Sequence, residues 1–162
     1  MIFIATDHAG FALKQKIIEF LKKNGRLVND LGPEKLDPVD DYSDFAFKLA
    51  QKVASQPESF GILLCRSGIG MSIVANKVKG VRAALCLLEE QAQKAREHND
   101  ANVLVLAADF TKLTAMEKII DKFLTTEFSQ EERHVRRLKK IAEFADPPSV
   151  RSDRTFGEAK GG

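Results

Sequence analysis

Short apolar runs alternate with longer amphipathic stretches along most of the chain, and this alternation constrains the fold more than any other feature. The runs "IFIAT", "RLVNDLG", "FGILLC", "VRAALCL" and "NVLVLAA" have the length and hydrophobicity of strands buried in a sheet. Between and after them, "GFALKQKIIEFLKKNG", "DYSDFAFKLAQKVAS", "GMSIVANKV", "EEQAQKAREHN", "KLTAMEKIIDKFLTT" and "EERHVRRLKKIAEFA" read as helices. Asn24-Gly25 supplies a stop signal for the first helix, and Phe45, Leu49 and Val53 fall on or beside one face of the second. Strands alternating with helices build right-handed βαβ units and therefore a parallel sheet with helices on both faces.

The expected class is α/β, a three-layer α/β/α sandwich around a five-stranded parallel, Rossmann-like sheet. With 162 residues, one domain is expected over 1–145, followed by a tail over 146–162 in which "DPPSVRSDRTFGEAKGG" is polar and rich in Pro and Gly. A formal charge of +2 lacks the basic excess of a nucleic-acid binder, so no nucleic-acid partner is expected. No run is long enough to span a membrane, and "MIFIATDHAG" has no basic region ahead of a signal-like apolar core. The 2 cysteines read as free thiols, and the cytoplasm is the expected location.

Open parallel sheets bind ligands beyond the carboxyl ends of their strands. There the third strand delivers "LLCRSGIGMS", a thiol at the edge of an apolar run followed by glycines and hydroxyls. Unpaired amides and a helix dipole at such a turn favour an anion, and they lead to the expectation that Cys65 has a lowered pKa. An unremarkable Gly-rich turn with an incidental cysteine is the competing reading. The first strand ends in Asp7 and His8; with strands one and three adjacent, both enter the crevice of Cys65, although Asp7 also suits a helix N-cap.

His98 and Asn99 close the fourth helix, where a histidine also fits a simple dipole contact. Arg133 and Arg137 are four apart and share a helix face, suited either to a phosphate or to solvent. Cys65, Cys86, His8, His98 and His134 have no metal-ligand spacing, so no metal is expected, and Cys86 inside "AALCLL" reads as core. No dinucleotide fingerprint follows the first strand, since "TDHAGF" lacks the required glycines.

Taken in order, "ATDHAGFALK", "DDYSDFA", "GILLCRSGIGMSIVANKVKGVRAAL", "REHNDANVLVL" and "ERHVRRL" resemble the ribose-5-phosphate isomerase B and galactose-6-phosphate isomerase family. The resemblance implies a cytosolic, metal-independent aldose-ketose isomerase without cofactor, acting on a small phosphorylated sugar through an enediolate. It also implies a homodimer or dimer of dimers with shared active sites. By the same resemblance Cys65 is the base, Ser67 assists proton movement, and amides around Ser67, Gly68, Ile69 and Gly70 form the anion hole. His98 of a neighbouring subunit opens the sugar ring, Asn99 binds enediolate or hydroxyl oxygens, and Asp7 binds sugar hydroxyls or the ring oxygen. His8, Arg133 and Arg137 are similar to phosphate contacts, and Tyr42 to an aromatic near the sugar.

Two positions depart from the family pattern. Arg66 stands where relatives commonly have Gly, and Asp109 stands at or near a place where they often have a phosphate-binding Arg. Both bear on the substrate, so ribose 5-phosphate is weighed against allose-type or galactose-type hexose 6-phosphates and against a non-catalytic sugar-phosphate binder. A phosphocysteine enzyme fits less well: a cysteine phosphatase needs an Arg where this chain has Met71, and a phosphocarrier loop follows the first strand rather than the third.

Overall fold

Each strand of a parallel sheet needs cover on both faces, and the apolar runs satisfy this by pairing side by side. A computed structural model describes residues 1–144; the expected tail and its boundary lie outside the described residues. β1 (Ile2–Thr6), β2 (Val28–Asp30), β3 (Phe60–Cys65), β4 (Ala83–Leu85) and β5 (Val103–Ala107) form one sheet in the order β2-β1-β3-β5-β4. Every pairing is parallel, with Ile4 opposite Ile62 and Leu63 opposite Val105. The helices are α1 (Phe11–Lys23), α2 (Tyr42–Ala54), α3 (Ile69–Ala75), α4 (Glu89–Asn99), α5 (Leu113–Thr125) and α6 (Glu132–Phe144). The expected α/β class and three-layer arrangement are therefore present.

Strand alternation sends successive side chains to opposite faces. Ile2, Ile4, Ile62, Leu64, Leu104 and Leu106 pack with α1, α4 and α5 through residues such as Ile17, Ala95, Ile120 and Phe123. Phe3, Ala5, Leu63, Cys65, Val103 and Val105 pack with α2 and α3 through Leu49, Val53, Met71 and Ala75. Cys65 thus belongs to the α2/α3 side.

From β1 the chain passes to β2 on one side and later to β3 on the other, so the order reverses at the β1/β3 boundary. The carboxyl ends of these two strands bound the crevice such folds use for ligands. Thr6 ties them together where the ladder ends: its buried hydroxyl donates to the Leu64 carbonyl at 2.9 Å. α6 stands apart from this layering. Its buried residue is His134, while Ile141 and Phe144 are exposed.

Candidate active site

β3 is buried to its last residue, and the chain then turns sharply into α3. Gly68 makes the turn at φ 74°, a left-handed conformation that glycine adopts without steric cost. A side chain there would also collide with Leu85. The turn folds back onto the thiol: the Gly68 N–H donates to Cys65 Sγ at 3.2 Å, and the amides of Met71 and Ser67 also stabilise the sulfur's charged form. Ser67 Oγ accepts from the Ile69 N–H at 3.3 Å. Three amides expected to hold a ligand oxyanion, those of Ser67, Gly68 and Ile69, are thus engaged within the chain, two of them with the sulfur.

The expected drop in the thiol's pKa is not observed. Burial pushes Cys65 up, the nearby Asp7 adds to the rise, and the Met71, Gly68 and Ser67 amides only oppose it. The physical reason is position: Cys65 is 5% exposed, and loss of water costs a thiolate more than this loop returns.

Asp7 lies beside this sulfur at the end of β1. It caps the short 3-10 turn His8–Gly10 by accepting the Ala9 N–H at 3.0 Å. Burial raises its pKa; Ala9 and His8 counter this, and Asp40 reinforces it. His8 is held by Asp40, whose Oδ1 accepts the His8 backbone N–H at 3.0 Å and lies 2.7 Å from its Nδ1. Tyr42 opens α2 and lies over Gly70: a Cβ at Gly70 would come within 2.6 Å of the ring. Asp7, His8, Tyr42, Cys65, Ser67, Gly68, Ile69 and Gly70 therefore come from adjoining segments at one end of the sheet.

Arg66 and Asp109 face each other. Arg66 Nη1 is 3.7 Å from Asp109 Oδ2, and both side chains are exposed. An exposed pair of this kind contributes less than about 1 kcal/mol, yet it draws the guanidinium toward β5, on the side of β3 away from β1.

His98, Asn99, Arg133 and Arg137 lie elsewhere. α4 leaves the carboxyl end of β4 and runs antiparallel to the strands, so His98 and Asn99 reach the amino-terminal edge of the sheet. The length of β3 separates this edge from Cys65, on the order of 17 Å at about 3.3 Å per residue. His98 there stacks on His134, with ring centroids 4.3 Å apart. Burial, and then His98, push the His134 pKa down; its Nδ1 is 2.8 Å from Ser129 Oγ. Arg133 and Arg137 share an exposed face of α6, and Arg133 pairs with Glu131 at 2.9 Å. Asn99 is exposed, and its amide donates to the Lys94 carbonyl at 3.3 Å.

Residue patterns alone did not single out Asp40 or His134. Asp40 stood inside "DDYSDFA" and His134 inside "ERHVRRL", but their partners are 32 and 36 positions away, at His8 and His98. Nothing local announces such pairs.

The family model for ribose/galactose isomerases matches residues 2–141. The probable ribose-5-phosphate isomerase B of Mycoplasma pneumoniae is 46% identical over 143 residues, covering 88% of this chain and 93% of the relative. Ribose-5-phosphate isomerase B of Mycobacterium tuberculosis is 40% identical over 143 residues, 88% of each chain. The crystal structure of the Mycoplasma genitalium ribose-5-phosphate isomerase B with bound ribulose-5-phosphate is similar at a TM-score of 0.85 and 47% identity, covering 88% of this chain and 94% of that one.

Proposed function

The chain belongs to the ribose/galactose isomerase family, and on that premise we propose that it interconverts ribose 5-phosphate and ribulose 5-phosphate with Cys65 as the base. The observation that carries this reading is the likeness, at 47% identity, to an isomerase structure that holds ribulose-5-phosphate. The geometry at the end of β3 supports the chemistry. A proton alpha to a carbonyl is weakly acidic, so its removal needs a base close to donors that can share oxyanion charge.

In the proposed cycle an imidazole opens the furanose by moving a proton between O1 and the ring oxygen. Cys65, as thiolate, takes the proton from C2 and returns it at C1. Ser67 moves a proton between O1 and O2, and loop N–H groups, turning from the internal acceptors they hold without substrate, share the enediolate charge with Asn99, so no metal is required. Asp7 holds sugar hydroxyls, Tyr42 flanks the sugar, and His8 with Arg133 and Arg137 holds the phosphate.

The last assignments require two chains. His98, Asn99, Arg133 and Arg137 sit a sheet-length from Cys65 within one chain, so we assign them to the Cys65 crevice of a second copy in a homodimer. The exposed Ile141 and Phe144 on α6, at 49% and 76%, support a covered face there. Cytoplasmic location accords with this reading, and no helix among the described residues is long and apolar enough to cross a membrane.

The test is a panel of pentose 5-phosphates and hexose 6-phosphates, with ketose formation followed and EDTA present in parallel. Turnover of ribose 5-phosphate that survives EDTA and is abolished in Cys65→Ala supports the reading. Turnover of allose or galactose 6-phosphate alone reassigns the substrate. Binding without turnover on any sugar makes the chain a non-catalytic binder.

A further inference from the structure

Asp40 is a carboxylate in an unusual position. Its side chain is 8% exposed, Oδ2 is buried with no hydrogen-bond partner among the described residues, and Oδ1 engages two atoms of the same residue. Those atoms are the His8 backbone N–H at 3.0 Å and His8 Nδ1 at 2.7 Å. Burying a carboxylate costs free energy that hydrogen bonds must offset. Among the described residues, both hydrogen bonds that offset it go to His8.

If the site only needed an acceptor for the His8 backbone N–H, an asparagine would serve without burying a charge. The second contact is what calls for a carboxylate. An ionised carboxylate only accepts hydrogen bonds, so its contact with Nδ1 requires a proton on that nitrogen. Nε2, on the far side of the ring, is then the nitrogen left for a ligand, and the imidazole is 28% exposed. The pair also keeps a net charge near zero when the ring is protonated, which matters because Asp7 is close enough to both residues to feel their charges. Without the histidine's charge, two carboxylates would face an anionic substrate.

We propose that Asp40 is the positioning residue of His8: it fixes the ring with a proton on Nδ1 and stabilises the imidazolium that forms when Nε2 takes up a second proton and donates it in a hydrogen bond to the phosphate of the sugar. This rests on reading the β1/β3 crevice as a sugar-phosphate site, but the tautomer does not depend on that reading. Asp40 acts through His8 and does not itself touch the substrate. The aspartate of a serine-protease triad controls its histidine by the same physical means.

Two measurements on the full chain test the assignment. The first is the pair of 15N side-chain shifts of His8 without substrate. The expected spectrum is that of an Nδ1-protonated ring, and Asp40→Asn should lose this preference. The second is steady-state kinetics on ribose 5-phosphate. Asp40→Asn should raise KM about tenfold, the usual advantage of an ionised over a neutral acceptor, while kcat changes less than about twofold. In a His8→Gln background the same substitution should have no further effect on KM. A substrate-free wild-type ring whose single proton sits on Nε2, or an unchanged KM in Asp40→Asn, overturns the proposal. Should Asp40→Asn fail to fold, the wild-type spectrum decides alone. If no sugar phosphate is turned over, the function reading fails while the tautomer still decides the role of Asp40.

Discussion

Arg82 and Asp100 lock the turn between α4 and β5. The guanidinium of Arg82 donates to the Asp100 carbonyl at 2.9 and 2.7 Å, and to its carboxylate at 2.7 Å. Asp100 caps α4 in the left-handed region, at φ 44°, where a non-glycine residue is uncommon. The other carboxylate oxygen accepts from Arg96 Nη1 at 2.7 Å. Two cations from different elements therefore hold the turn directly behind His98 and Asn99.

Asp100→Ala removes both pairings and leaves the buried Arg96 with backbone acceptors alone. The expected loss is about 2 kcal/mol of folding stability, less than a fully buried pair because Asp100 is partly solvated. Asp100→Asn should lose about half as much, since an amide oxygen still accepts. Urea denaturation of both variants checks the order. An alanine variant as stable as wild type would show that the Arg82 and Arg96 contacts contribute nothing net.

Lys14 offers a second test of a buried charge. It is fully buried in α1, and its Nζ donates to Asp30 Oδ1 and to the Pro33 carbonyl, both at 2.8 Å. These bonds fasten the start of the segment that later carries Asp40. Lys14→Ala should cost about 3 kcal/mol through cavity and lost bonds together. Lys14→Met keeps most of the buried stem and leaves Asp30 able to hydrate, so it should cost about 1–2 kcal/mol. Equal losses in the two variants would mean that the charge, rather than the packing, dominates.

The layered fold was legible because two-sided burial imprints strands such as "IFIAT" and "NVLVLAA" as continuous apolar runs. Strand order was not, since nothing in a short run such as "AAL" says that β5 will insert between it and β3. The placement of Asp7, His8 and Cys65 at the ends of adjacent strands was legible, because polar groups interrupt apolar text there. The ionisation of Cys65 was misread: the amides of the loop were visible in its glycines, but the depth at which β3 ends was not. His98 and Cys65 are distant within a chain because α4 runs antiparallel to the strands, a consequence of topology rather than of local pattern.

Gly70 tests the contact with Tyr42. A Cβ at this position would stand 2.6 Å from two ring carbons and 2.9 Å from the hydroxyl, closer than such atoms pack. Because Tyr42 is 43% exposed, its ring can swing into solvent and relieve the clash cheaply. Gly70→Ala should therefore leave stability within about 1 kcal/mol while lowering kcat/KM about tenfold, a size typical of a displaced substrate-positioning group. Thermal unfolding and steady-state kinetics on ribose 5-phosphate separate the two effects. A variant with unchanged kcat/KM would remove Tyr42 from the proposed substrate contacts.

On the proposed mechanism, the ionisation of Cys65 sets how activity varies with pH. Burial raises the thiol's pKa above its ordinary value near 9.0, so at neutral pH the resting group is the protonated thiol and only a small fraction is the base. Below the pKa that fraction grows about tenfold for each pH unit. With thiolate as the base in the rate-determining proton transfer, log kcat/KM should climb with a slope near one from about pH 7 to 9. A depressed pKa would instead give a plateau across the same interval, because the thiolate would already be fully formed. Replacing sulfur with oxygen in Cys65→Ser puts ionisation far beyond this range, so the variant should be inactive throughout it. Initial rates of ribose 5-phosphate isomerisation in constant-ionic-strength buffers distinguish these outcomes. A flat profile would mean that another group, or the bound substrate, takes the thiol proton before the rate-determining step.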